Sequence, residues 1–207
     1  MNRFRLVSAA AAALVFLAVL PSCRRSAGWT DAERTIIASG SPLRVLTIYD
    51  KDDSLVLRTP CTDLTPEQLA SPEFARLRDA LIATVTDPSQ DGVGIAAPQV
   101  GLSRRVIAVQ RFDKQGEPFE VYPNARVVAV RGETSPGREG CLSIPGWRGD
   151  VQRWRDIDVR YSTPGGRDTL ERVQGFTAVI FQHECDHLDG VLYTDKTVPG
   201  SLQKVEE

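Results

Sequence analysis

Hydrophobic positions recur with the period of a helix in two parts of the chain. Elsewhere they form shorter runs without that period. Ser71-Pro72 has the pattern of a helix start, with the serine as N-cap and the proline at the first helical position. The apolar residues after this start fall on one helical face: Phe74, Leu77, Leu81, Ile82 and Val85. A second helix is predicted over residues 173–188.

Short apolar and β-branched runs predict strands over residues 105–110, 120–122, 126–131, 156–161 and 191–193. Residues 43–49 are predicted to form a strand or an extended segment, and residues 55–60 carry another short apolar run that stops at a proline. Turns are expected at Gly116, Pro123-Asn124, Gly132, Pro136-Gly137 and Pro164-Gly165-Gly166. The pattern predicts an α+β domain in which short antiparallel strands pack around a central helix.

The first residues have the pattern of an export signal. Arg3 and Arg5 make a short basic start, and residues 6–20 are almost wholly apolar but short for a membrane-spanning helix. The run ends in Leu20-Pro21-Ser22-Cys23, which resembles the lipobox of bacterial lipoproteins, whose cysteine is acylated and becomes the first residue. This pattern predicts a signal peptide over residues 1–22 and a lipid on Cys23.

The region after the signal is predicted to be a tether over residues 23–42, followed by one folded domain over residues 43–207. The tether contains one short helix, because Thr30 and Glu33 have capping-box spacing. Such a lipoprotein would be held at a membrane of the cell envelope, outside the cytoplasm. The alternatives are an ordinary cleaved signal, a transit peptide rich in Arg and Ala, and a start assigned too early. The last of these would leave the protein cytoplasmic.

Composition excludes two classes of protein. The 207 residues include 25 basic and 27 acidic ones, with a net charge of −2, so no excess positive charge is present to neutralise a nucleic-acid backbone. The apolar fraction of 42% is too high for a disordered chain. We therefore expect a globular domain of ordinary size with no nucleic-acid partner.

The second predicted helix carries His183-Glu184-Cys185-Asp186-His187, which is an H-E-x-x-H motif. Residues four apart leave the same face of a helix, so both imidazoles can bind one divalent metal ion. Glu184 is close enough to take a proton from a metal-bound water. The chain has only two histidines, which favours a metal site over structural filler. The motif leaves the third ligand open, since either a downstream glutamate or aspartate, as in some metalloproteases, or a cysteine would serve.

Two other stretches have unusual composition: Gly92-Val93-Gly94-Ile95-Ala96-Ala97-Pro98-Gln99 and Glu139-Gly140-Cys141-Leu142-Ser143. In this order, and with Gln182, Asp186 and Leu188 around the histidines, they resemble the three signature motifs of peptide deformylases. Those motifs are G-Φ-G-Φ-A-A-x-Q, E-G-C-L-S and Q-H-E-x-D-H-L. The resemblance extends over residues 43–196.

The resemblance implies that one divalent metal ion is bound by Cys141, His183 and His187, with a water in the fourth position. The family generally uses Fe²⁺, and its members often accept Zn²⁺, Ni²⁺ or Co²⁺. The implied reaction is hydrolysis of the formyl group of N-formylmethionyl peptides, with release of formate. In it, Glu184 is the base, while the Gln99 side chain and the backbone N–H of Leu142 stabilise the oxyanion.

Substrate-binding residues are expected in the same three regions. Gly94 has no side chain and so leaves room for an extended peptide to pair with its backbone. The apolar candidates for the pocket of the methionine side chain are Val93, Phe176, Val179 and Ile180. Arg148 resembles an arginine that in relatives lies near the substrate backbone or its carboxylate.

Other functions remain as alternatives. A zinc metallopeptidase or amidase would use the same helix but gives no reason for Gln99 and Cys141. A non-catalytic envelope lipoprotein with the same fold would have no need of Glu184. Deformylases act on nascent chains in the cytoplasm during protein biosynthesis, so an anchor at Cys23 would give this chain an unusual address.

Overall fold

A computed structural model of the chain describes residues 28–90, 92–163 and 165–205. Its helices are α1 (Asp31–Ala38), α2 (Lys51–Leu57), α3 (Pro66–Leu69), α4 (Pro72–Val85) and α5 (Gly175–Leu188). Its strands are β1 (Gly94–Ala96), β2 (Val106–Gln110), β3 (Phe119–Pro123), β4 (Arg126–Val130), β5 (Thr134–Cys141), β6 (Ile144–Trp154), β7 (Asp156–Ser162), β8 (Asp168–Gln174) and β9 (Gln203–Lys204). In these ranges no helix is long and apolar enough to cross a membrane. The predicted signal peptide and Cys23 lie outside them.

The described strands form three antiparallel sheets, with the orders β1-β2-β3, β4-β7-β8 and β5-β6-β9. Helix α5 lies among them, and its residues Phe181 and Leu188 are fully buried in a cluster with Ile107 of β2 and Val159 of β7. Burial of this helix on several sides accounts for its largely apolar sequence. The predicted α+β class, with antiparallel strands around a central helix, is confirmed.

Helix α4 forms where the helical period and the cap predict it. Ser71 is the N-cap, and its hydroxyl accepts a hydrogen bond from the Phe74 backbone N–H at 3.2 Å. Of the five predicted face residues, Ile82 is half-buried and the other four are buried. They pack with Ile95 and Val106, so α4 covers the sheet that contains β1 and β2.

The hairpin of β5 and β6 is the main element that the sequence pattern misses. Pro136-Gly137, expected as a turn, lie inside β5, so that prediction is wrong. Strand β5 is at the edge of its sheet, where the missing N–H of a proline is tolerated. The pairing of the two strands shifts by a bulge between Gly140 and Cys141, which places Cys141 at the turn of the hairpin.

Three further local predictions are corrected. Part of the apolar run 55–60 belongs to α2, because the Asp50 side chain caps that helix by accepting from two backbone N–H groups. Residue Val173, expected in the second helix, belongs to β8, and the helix begins at Gly175, whose φ is +70°. Residues 191–193 form no strand, and Tyr193–Asp195 is a short 3₁₀ helix instead.

Part of the predicted tether is packed against the domain. The capping box of Thr30 and Glu33 forms as predicted and begins α1. Trp29 is only 4% exposed, and its Nε1 donates to Ser71 Oγ at 2.9 Å. Ile37 is buried in the same cluster as the apolar face of α4. The packed structure therefore begins by Trp29, since two large apolar side chains of this segment need a core to cover them.

Candidate metal centre

Three metal-binding side chains meet where α5 passes the turn of the β5-β6 hairpin. His183 and His187 lie one helical turn apart on α5, and Cys141 is the last residue of β5. One ligand atom from each of the three lies within 4.8 Å of the others, and Cys141 Sγ is 3.2 Å from His187 Nε2. The fold therefore brings together the three residues that the resemblance implied as ligands.

The donor set fits a divalent transition metal ion. One thiol and two imidazoles are soft or borderline ligands, which suit Fe²⁺, Zn²⁺, Co²⁺ or Ni²⁺ better than Mg²⁺ or Ca²⁺. Burial lowers the pKa of His187 well below its ordinary value, so its ring is neutral, which is the form that binds a metal. The residues present therefore fit the metal ion that the resemblance implies.

Glu139 orients His183. Glu139 Oε2 is 2.9 Å from His183 Nδ1, and its two oxygens accept hydrogen bonds from Arg153 at 2.8 and 2.9 Å. Burial raises the pKa of Glu139, but the hydrogen bonds from Arg153 and His183 outweigh this effect and lower the pKa to about 2. The ionised carboxylate holds one ring nitrogen of His183 and leaves Nε2 for a metal.

Glu139 had no predicted role in the site, and Arg153 and Tyr193 were not predicted to take part in it. Arg153 Nη1 also donates to Asp186 Oδ2 at 2.6 Å, which ties β6 to α5. The Tyr193 ring stacks on that of His183, with centroids 6.0 Å apart. The spacing of H-E-x-x-H gives no signal for these residues, because they reach the site from β5, β6 and a 3₁₀ helix. The only sequence signal was the position of Glu139 inside the second motif.

Glu184 is 3% exposed and lies beside the metal-binding cluster. Burial raises its pKa to about 7, and its Oε2 has no hydrogen-bond partner among the described residues. Strand β1 faces this carboxylate: a Cβ at Gly94 would lie 2.5 Å from Glu184 Oε1 and 2.8 Å from Ile180 Cγ2. Glycine at position 94 is therefore required for the carboxylate to keep its place.

Gln99 presents an amide N–H₂ group to the same cluster. Its Oε1 accepts from the Ala96 backbone N–H at 2.8 Å, which fixes the direction of the amide. Its Nε2 is 3.2 Å from Ser143 Oγ and 3.5 Å from Cys141 Sγ. A hydrogen-bond donor thus lies beside a predicted metal ligand.

The segment 43–49 holds the backbone on both sides of this contact. The predicted strand is not formed: residues 43–47 have no regular secondary structure, and residues 48–49 lie in a turn. Leu46 N–H donates to the Gln99 carbonyl at 2.7 Å, and Ile48 N–H donates to the Ser143 carbonyl at 3.0 Å. This segment therefore connects the 3₁₀ helix Ala97–Val100 to the turn that carries Cys141.

A cavity of about 510 Å³ opens beside the metal-binding cluster. The predicted site residues that line it are Cys141, His183, Glu184, Gln99 and Leu142, together with all six predicted substrate residues, Val93, Gly94, Arg148, Phe176, Val179 and Ile180. Trp147 and Val205 also line it and were not predicted. A larger cavity, of about 660 Å³, lies elsewhere, against Cys185 on α5, and none of the predicted site residues lines it.

Comparison with known proteins gives one consistent family. A family model described as polypeptide deformylase matches residues 43–203, which include all three motifs. A peptide deformylase of Symbiobacterium thermophilum is 46% identical over 124 residues, which are 60% of this chain. The matched segment spans 55% of that relative's length. A peptide deformylase of Roseiflexus sp. (strain RS-1) is 34% identical over 168 residues, covering 74% of this chain and 87% of that relative.

A solved structure gives the same result. The K1U-bound class I type b peptide deformylase from Acinetobacter baumannii has a TM-score of 0.68 and 36% sequence identity to this chain. The similarity covers 76% of this chain and 100% of that one. The matched fold therefore extends over the whole length of that relative.

Proposed function

Because the chain belongs to the peptide deformylase family, we propose that it hydrolyses the formyl group of N-formylmethionyl peptides and releases formate. The observation that carries the proposal is a cluster of three side chains of metal-ligating type, two of which line one cavity together with a buried carboxylate. Cys141, His183 and His187 would hold the metal ion. When bound, a divalent ion polarises a carbonyl group and makes water more acidic.

Glu184 transfers the proton. Its carboxylate accepts a proton from the attacking water and returns it to the amine that leaves when the formyl C–N bond breaks. The apolar surroundings that raise its pKa to about 7 suit a group that must take up and release a proton in one turnover. Asp186 is another carboxylate of α5, but it does not serve this role because it accepts hydrogen bonds from Arg153 and Lys196.

Gln99 and Leu142 stabilise the oxyanion. The charge that develops on the formyl oxygen needs donors already in place, since donors that must turn towards it stabilise it less. The hydrogen bond from Ala96 holds the Gln99 amide with its N–H₂ group near Cys141. Leu142 follows Cys141 and lines the same cavity, so its backbone N–H is the second donor.

The peptide lies between β1 and α5. Gly94 lets the peptide approach the backbone of β1. On α5, Ile180 and Val179 lie about one turn before His183, and Phe176 lies about two turns before it. With Val93 they form the apolar wall for the methionine side chain. Arg148 binds the backbone or carboxylate of the peptide beyond the methionine.

Formate release is the direct test of this function. We expect the purified chain, prepared without oxygen and loaded with Fe²⁺, to release one formate for each formyl-Met-Ala-Ser peptide, and to leave the Met-Ala bond intact. Formate is measured with formate dehydrogenase and the peptide products by mass spectrometry. Cleavage of a peptide bond instead would favour a metallopeptidase, and no reaction by metal-loaded protein would favour a binding module.

We also propose that the enzyme is a lipoprotein, anchored through Cys23 at a membrane of the cell envelope. The support is the basic start, the apolar run 6–20 and the lipobox-like Leu20-Pro21-Ser22-Cys23. Cleavage before Cys23 would remove none of the packed residues that the structure describes, since these begin with Trp29. The proposed anchor is compatible with the proposed catalysis, because the anchor uses Cys23 and catalysis uses residues of the folded domain.

The geometry of α4 indicates how such an anchor would orient the domain. Trp29 contacts Ser71 at the start of α4, whereas Val85 at its end lies against Gly92, which lines the cavity. A helix of 14 residues is about 21 Å long. The anchor would therefore join the domain at the end of α4 that is farther from the cavity.

Metabolic labelling tests the anchor. In bacterial cells given a labelled fatty acid, we expect the full chain to carry the label in the membrane fraction and Cys23→Ser to carry none. Cys61→Ser, which changes a cysteine inside the domain, is the matched control and should keep the label. Recovery of unlabelled protein from the cytoplasm with Asn2 still present would contradict the proposal.

A further inference from the structure

The segment after the 3₁₀ helix Tyr193–Asp195 returns to the cavity. Strand β9 pairs antiparallel with β6, with Lys204 opposite Trp147 and Gln203 opposite Arg148. The Val205 backbone N–H then donates to the Gly146 carbonyl at 2.9 Å. Val205 lines the same cavity as the metal-binding cluster. A part of the chain outside all three motifs therefore forms part of the cavity wall.

Specific contacts hold this segment against β6. A Cβ at Gly149 would lie 2.7 Å from Thr197 Cγ2 and 3.4 Å from the Leu202 Cα, so the glycine makes room for the segment to approach. The Ser201 hydroxyl accepts from the Asp150 backbone N–H at 3.0 Å. The close packing at Gly149 and the hydrogen bond to Ser201 show that the segment makes specific contacts with β6.

The side chains of this segment alternate between two sides. Successive residues of a strand point to opposite faces, so Gln203 and Val205 share one side and Lys204 takes the other. Gln203 Oε1 accepts from Arg138 Nη2 at 3.1 Å, and both Arg138 and Val205 line the cavity. Val205 and Arg138, the partner of Gln203, thus reach the cavity, whereas Lys204 is not among the residues that line it.

Arg148 connects this wall to the substrate. Its side chain lies over Gly140, where a Cβ would be 3.2 Å from Arg148 Nη1, and it is the ladder partner of Gln203. Under the proposed function, Arg148 binds the peptide beyond the methionine. Val205 directly follows β9, the strand that pairs beside Arg148, whereas Phe176, Val179 and Ile180 line the same cavity from α5.

We propose that the segment Gln203 to Val205 is a specificity wall for the residues that follow the methionine, and that Val205 limits the size of their side chains. The inference rests on the proposed deformylase function and adds the class of preferred substrate to it: formylmethionyl peptides with small residues next to the methionine. The wall acts by contact with the peptide and takes no part in proton transfer.

The test compares three peptides: formyl-Met-Ala-Ser, formyl-Met-Trp-Ser and formyl-Met-Ala-Trp. For Val205→Gly we expect kcat/KM for at least one tryptophan peptide, relative to formyl-Met-Ala-Ser, to rise by about 10-fold, which is the usual effect of adding space to an apolar pocket. The change should come from KM, while kcat for formyl-Met-Ala-Ser stays within about twofold. Lys204→Ala, on the opposite side of the strand, is the matched control and should leave both ratios unchanged.

A chain that ends at Leu202 lacks the whole wall. Its kcat/KM for a tryptophan peptide, relative to formyl-Met-Ala-Ser, should rise at least as much as in Val205→Gly. Thermal unfolding curves of all variants show whether each is folded; if the shortened chain is not, Val205→Gly decides the question alone. Unchanged ratios in a folded Val205→Gly enzyme that is active on formyl-Met-Ala-Ser would overturn the wall while leaving the deformylase function in place. Equal shifts in Lys204→Ala would overturn it too. A parent chain inactive on all three peptides would overturn the proposed function and the inference with it.

Discussion

Replacing Glu184 with glutamine is expected to lower kcat for formate release by roughly 10²- to 10⁴-fold, the usual contribution of a general acid-base group. The amide cannot accept a proton from water, although it has nearly the volume of the carboxylate. Glu184 is not one of the three clustered ligands, so metal content should stay at the level of the parent. KM should change little, because the carboxylate acts in proton transfer rather than in peptide binding.

The same substitution is expected to stabilise the metal-free chain above neutral pH. Burial raises the pKa of Glu184 to about 7, from an ordinary value of 4.5. The folded chain therefore holds this proton more tightly than the unfolded chain, and the free energy of unfolding falls as pH rises from about 4.5 to about 7. Glutamine has no such proton, so the variant should gain in Tm over the parent across this window.

Steady-state kinetics, metal analysis and unfolding curves at pH 5 and pH 8 check these expectations together. Glu133→Gln changes an exposed glutamate in the same way and should leave all three quantities unaltered. Retention of more than a tenth of the parent's kcat by metal-loaded Glu184→Gln would contradict the assignment of Glu184 as the proton carrier. A Tm difference that is the same at both pH values would contradict the raised pKa.

Replacing Cys141 with alanine is expected to remove most of the bound metal and reduce formate release to background. Under the proposed function Cys141 is one of three protein ligands, and its loss leaves two imidazoles on one helix. The decrease in metal affinity should exceed the roughly 10- to 100-fold effect of losing an outer partner of a ligand. The fold should persist, since Cys141 is at a hairpin turn and only half-buried.

Cys185→Ala is the matched control, because it removes a thiol from the same helix as both histidines. Cys185 is buried in the apolar cluster, and burial raises its pKa to about 12, so it is a neutral packing group. We expect this variant to keep one metal per chain and near-parent kcat, with a lower Tm from the lost packing. Metal content measured by mass spectrometry after dialysis separates the two variants. Full metal in Cys141→Ala would contradict its place in the ligand set.

Several features of the fold follow from local sequence. Ser71 before Pro72 and the apolar period after them were sufficient to predict α4, and the spacing of Thr30 and Glu33 predicted the cap of α1. These elements depend on neighbours within a few residues, so a pattern along the chain contains the needed information. By contrast, the β5-β6 hairpin contains glycines, two prolines and several charged residues, and its stability comes from pairing rather than from an alternating apolar pattern.

The sequence by itself determined that His183 and His187 leave one face of a helix, because residues four apart meet after one turn whatever surrounds them. The third donor had to be taken from a resemblance, since Cys141 is 46 positions from His187 and no spacing rule connects them. Only the tertiary structure decided that a bulge aims Cys141 at the histidines, that Arg153 and Glu139 hold His183, and that Val205 lines the cavity. Such contacts depend on how separate strands pair and on the side chains that this pairing buries together, which local sequence does not encode.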